Sequence, residues 1–138
     1  MFLFRTRKNS NRLYRICIDL IEQYEKENNK ICPSARNDLG KLINSRIKAA
    51  KKEISEWKDH DTDYIKIAHT MLAHAAFDLL ASGNYHIYYG ILNPMNCSAN
   101  LMIVYKKSMQ YALENGLIDE NTREDQYNYL LSCISQVG

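Results

Sequence analysis

Residues 64–81 read YIKIAHTMLAHAAFDLLA, the most apolar run of helical length in the chain. At about 100° per residue, Tyr64, Ile67, Ala68, Met71, Leu72, Ala75, Ala76 and Leu79 share one broad face. From Met71 onward Ala73, Phe77 and Leu80 fill much of the opposite side. A helix that is apolar nearly all round belongs in an interior. Lys66, His69, His74 and Asp78 interrupt it too often for a membrane span. The segment therefore predicts the buried central helix, residues ~62–82, of an all-α bundle with five or six helices.

The flanking sequence agrees. Leu13, Ile16, Cys17, Leu20, Ile21 and Tyr24 recur at helical spacing, which predicts a helix from Ser10 to Glu27. A second helix is expected from Ser34 or Asn37 to Trp57, with Leu39, Leu42, Ile43, Ile47, Ala50, Ile54 and Trp57 inward. Asp61 or Thr62 is the expected cap of the central helix. Further helices are expected over 98–115 and 121–136, with Tyr127, Leu130, Leu131 and Ile134 of the last one inward. Gly116 is placed to end the first of these as a left-handed C′ residue. Tyr85–Leu92 has the β-branched and aromatic content of a strand but no evident partner, so a short helix is the expectation.

The 138 residues are 46% hydrophobic and 25% charged, a globular composition with only five glycines and two prolines. No linker or repeat divides the chain, so a single domain over 1–138 is expected, with residues 1–9 open to being a flexible basic arm. The four cysteines form no C-x-x-C pair and read as thiols in a reducing compartment. MFLFRTRK does not have the order of a signal peptide. The expected location is the cytoplasm, with no membrane association.

Net charge is +2, but its distribution is uneven. Residues 1–15 carry five bases and no acid, whereas 84–138 carry three bases and five acids. Arg5, Arg7, Lys8 and Arg12, with the stripe Lys41, Lys48 and Lys52, could meet phosphates. A solvated basic face is the commoner meaning of such a pattern.

Arg46 projects from the apolar side of its helix, and His74 and Asp78 are one turn apart on the central helix. Interior charges are paired more often than catalytic, so these three predict a buried polar cluster. An acid/base or metal role for His74 and Asp78, with His69 or His86 adding a ligand, is the competing reading. Tyr85, His86, Tyr88, Tyr89 and Met95 concentrate aromatic surface in one short segment, which suits a contact surface for a partner.

No nucleotide loop, nucleophile elbow or zinc-protease motif is present. No cofactor or metal is expected, and the balance leans away from an enzyme. The leading expectation is a small interaction or regulatory protein that works through a protein partner or through self-association as a homodimer. A nucleic-acid-associated protein using the basic N-terminal half is the alternative. A metal-dependent or acid/base enzyme at His74 and Asp78 comes third.

Overall fold

The computed structural model describes residues 2–57, 63–82, 87–88 and 97–135. The described residues form six helices: α1 (Phe2–Glu27), α2 (Pro33–Ala49), α3 (Lys51–Ser55), α4 (Tyr64–Ala81), α5 (Cys97–Glu114) and α6 (Glu120–Ser132). The central segment is α4, and it packs against α1, α2, α5 and α6. Its Ala68, Leu72, Ala73, Ala75 and Ala76 are fully buried. The alanines let neighbouring backbones come close, while Leu72 fills the space between them.

Asp63 caps α4, its carboxylate accepting from the Lys66 N–H at 3.1 Å. That corrects the cap expected at Asp61 or Thr62, which lie outside the described residues. Asp119 caps α6 in the same way, through the Thr122 N–H at 2.7 Å. This bond holds the Asp119 carboxyl below its usual range. Gly116 ends α5 at φ 69°. The Leu117 N–H reaches back to the Ala112 carbonyl at 2.9 Å and the Gly116 N–H to Leu113 at 3.1 Å. This is the Schellman arrangement, and it needs a residue free to adopt positive φ.

Several expected boundaries are corrected. The first helix already runs through residues 2–9, so the segment read as a basic arm is helical. Within it Asn9 is buried, and its amide donates to the Ile54 carbonyl at 2.9 Å and the Trp57 carbonyl at 3.3 Å. These bonds tie α1 to the end of α3, where the Ile54 carbonyl also accepts from the Trp57 N–H at 3.2 Å. The expected second helix is broken at Ala50 into α2 and α3. Pro33 stands at the start of α2, where its missing N–H costs nothing. Gly40 lies where α1 crosses α2, with the Tyr14 hydroxyl 3.1 Å from the place of a Cβ.

The last helix stops at Ser132, and Ile134–Ser135 form a two-residue strand, β2. It pairs in parallel with β1 (Ile87–Tyr88), Ile87 opposite Ile134 and Tyr88 opposite Ser135. The short helix expected around Tyr88 is therefore replaced by extended chain at 87–88. Helical spacing places Ile134 in the last helix, so the sequence shows no partner for this extended segment. In α6 only Leu130 is buried; Leu131 is 46% exposed, contrary to its expected inward position.

Cys32, at the cap position of α2, is disulfide-bonded, while Cys17 and Cys133 carry free thiols. The expectation of thiols throughout is thereby corrected. Burial pushes the Cys17 thiol up to about 12, so it is an inert core group. No described helix is long and apolar enough to cross a membrane.

Candidate functional site

The polar residues singled out in the sequence come together between α2 and α4. Arg46, near the C-terminus of α2, forms an ion pair with Asp78, near the C-terminus of α4. A carboxylate at a helix C-terminus opposes the macrodipole, and the guanidinium offsets that. Both side chains keep contact with water, at 38% and 40% exposure. The expected cluster is thus assembled, but at the rim of the core. The Arg46 Nε is buried and has no hydrogen-bond partner.

His74 lies one turn before Asp78. Burial lowers its pKa, the Arg46 charge lowers it further, and Asp78 opposes both. The ring is therefore neutral near pH 7. A His–Asp acid/base pair needs the carboxylate to orient the imidazole. Here Asp78 is held by Arg46. Among the described residues no group of three His, Cys, Asp or Glu could hold a metal ion. His86 lies outside the described residues. His69 points to another face of α4.

Beside the ion pair is a cleft of about 440 Å³. Ala49, Ala50 and Glu53 line one side, Ile67, Thr70 and Met71 the other, with His74 and Arg46 at one end. Leu117, from the turn after α5, closes the rim and is 41% exposed. The cleft has a simple cause. Ile67 and Met71 belong to the apolar arc of α4, but the apolar residues that share the cleft with them from the α2–α3 side, Ala49 and Ala50, are too short to cover them. They are half-buried, not core as their periodicity predicts.

His69 is the residue whose role the sequence reading missed. It is 6% exposed and stacked on Tyr111, with ring centroids 3.8 Å apart. Its Nδ1 lies 3.2 Å from the Tyr24 hydroxyl. Burial lowers the His69 pKa and raises that of Tyr24. A neutral ring accepting from a neutral phenol fits both shifts. Ser108, fully buried, is close enough to act on Tyr24, but its hydroxyl lacks hydrogen-bond geometry to any partner. The signal was present: His69 shares the i, i+3, i+4, i+7 line with Leu72, Ala73 and Ala76.

The other expected contact residues are spread out. Tyr85, His86, Tyr89 and Met95 lie outside the described residues, and Tyr88 contributes its backbone to β1. Arg5 lies in α1, where Arg7, Lys8 and Arg12 are exposed. The Arg12 guanidinium sits over the Tyr64 ring, 4.2 Å from its centroid. Lys41, Lys48 and Lys52 are exposed along α2 and α3. Arg12 faces α4, while Tyr14, on another flank of α1, faces α2.

Comparison of the chain with family models, with curated proteins and with solved structures finds no match.

The ion pair makes a direct prediction. Asp78→Asn should lower stability by about 0.5–1 kcal/mol, a modest figure because both partners are wet and screened. High salt should shrink the difference. Thermal melts beside wild type check it, and coincident curves would mean that Asp78 does not hold Arg46 in solution.

Proposed function

We propose that this chain is a small interaction or regulatory protein that docks an apolar side chain of a protein partner into the cleft between α2 and α4. The observation that carries this reading is the half-buried pair Ile67 and Met71, left uncovered by Ala49 and Ala50, with Leu117 exposed at the rim. A concave apolar wall with a few polar groups at one end is the usual form of a binding pocket. The partner to which we commit is a second copy, since two-fold self-association is the commonest assembly. The tyrosine-rich segment 85–95 extends the contact in this reading. The disulfide at Cys32 is more typical of an oxidising compartment than of the cytoplasm expected from the sequence.

Light scattering at high micromolar concentration tests self-association. The expected result is a dimer that becomes monomeric when Met71 and Leu117 are both changed to Asp. A dimer that survives this change but is lost in the Tyr88→Ala, Tyr89→Ala double variant moves the contact to the tyrosine segment. A wild-type monomer overturns self-association.

The alternative, a nucleic-acid-associated protein, draws on the exposed Lys41, Lys48 and Lys52. Its signature would be binding that weakens steeply with salt. An acid/base or metal role at His74 and Asp78 has less support, because the carboxylate is engaged by Arg46.

A further inference from the structure

The three bases of residues 84–138 are Lys106, Lys107 and Arg123, outnumbered there by five acids. The fold nevertheless places two of them on one cavity. Between α5 and α6 lies a pocket of about 400 Å³, lined by Tyr105, Lys106, Met109, Gln110, Arg123 and Tyr127. Among the described residues no carboxylate lines it. Around it Glu114 accepts from the Gln110 amide at 2.8 Å, Glu120 pairs with Arg123, and the Glu124 charge also acts on Arg123. A single Glu120 oxygen takes both Nε and Nη2 of Arg123. A guanidinium has five N–H donors, so the rest of the fork remains available. The Lys106 ammonium has no acidic partner among the described residues and sits 5.9 Å from the Tyr127 ring centroid.

The floor is apolar and held in place. Tyr105 and Met109 are each 2% exposed. The Tyr105 hydroxyl donates to Gln126 Oε1 at 3.1 Å, which fixes its ring. Burial pushes that hydroxyl up to about 12, so it adds no negative charge to the pocket. The cavity is thus cationic at its edge, aromatic at its wall and apolar at its base. A bare inorganic ion would leave the rings unused, and a neutral ring would leave the ammonium unmatched.

We propose that the α5–α6 cavity binds a small planar anion, an aromatic ring bearing a phosphate or carboxylate, with the anion between Lys106 and Arg123 and the ring against Tyr127 and Tyr105. This site is separate from the α2–α4 cleft and does not depend on how that cleft is used.

Calorimetric titration of the full chain at low salt tests it with four probes: adenosine monophosphate, benzoate, adenosine and inorganic phosphate. The expected result is saturable binding of a ring-bearing anion with Kd below about 1 mM. Whether adenosine monophosphate or benzoate binds tells the phosphate from the carboxylate form. Adenosine and phosphate alone should bind at least about tenfold more weakly, and the Lys106→Gln, Arg123→Gln double variant should lose at least about tenfold for the ring-bearing anion. Lys26→Gln, an exposed base of α1 that does not line the pocket, should change nothing. Lys106→Gln alone, at an exposed side chain, serves if the double variant melts early. The proposal is overturned if neither ring-bearing anion saturates, if adenosine alone binds as tightly, or if Lys26→Gln weakens binding as much as the pocket variants.

Discussion

Leu72→Ala should destabilise the protein by roughly 2–5 kcal/mol, the range for a buried leucine truncated in a core that cannot collapse onto it. Leu72 has no exposed surface and lies at the middle of α4. Its neighbours along the helix, Ala68, Ala73, Ala75 and Ala76, are also fully buried. Alanine has no rotamers with which to fill a void, so most of the lost volume should persist as a cavity. Urea denaturation of the variant beside wild type measures the loss. A change below about 0.5 kcal/mol, the size of an ordinary surface substitution, would mean that α4 is not the centre of the core.

His69→Ala should cost about 2–4 kcal/mol and should also change the response to acid. The substitution removes the ring stacked on Tyr111, a contact of roughly 0.5–1.5 kcal/mol. It also leaves the buried Tyr24 hydroxyl without its acceptor, at about 1–3 kcal/mol. The pH effect follows from burial, which puts the folded His69 pKa below its ordinary 6.5. As pH falls past that value the unfolded chain takes up a proton that the folded ring refuses. Stability is therefore complete above pH 6.5 and is lost as pH falls from there toward the folded pKa. His74, lowered by burial and by Arg46, acts in the same direction. Wild type should lose stability as pH falls from about 6.5 toward 5, before most carboxylates titrate. His69→Ala should lose less over that interval. Equal slopes for the two proteins would show that His69 is not held neutral in the fold.

The sequence by itself determined the class of fold and its centre. Tyr64–Ala81 is apolar around most of its circumference, and burying that much apolar surface in a short chain of few glycines and prolines leaves little choice but a helical bundle. The stop at Gly116 was legible for the same local reason, since it supplies a backbone conformation that other residues avoid, whereas the caps proved to be Asp63 and Asp119 rather than the expected positions. Arg46 and Asp78 were recognisable as partners because each was a charge on an apolar flank.

Tertiary structure decided what those elements face. Periodicity assigns Ile67 and Met71 to a buried arc, but whether a side chain is covered depends on the length of the residue opposite, and here that residue is alanine. His69 read as a polar interruption; Tyr24 and Tyr111, forty-five residues before it and forty-two after, make it an interior group. Tyr88 had no visible strand partner because Ser135 is forty-seven residues away, and such pairing leaves no local mark. The cationic cavity of α5 and α6 was hidden by an acidic segment average, since summed charge does not record which side chains share a wall. Local physics sets helices, caps and the identity of the core; the function of a surface depends on distances between residues that sequence order does not contain.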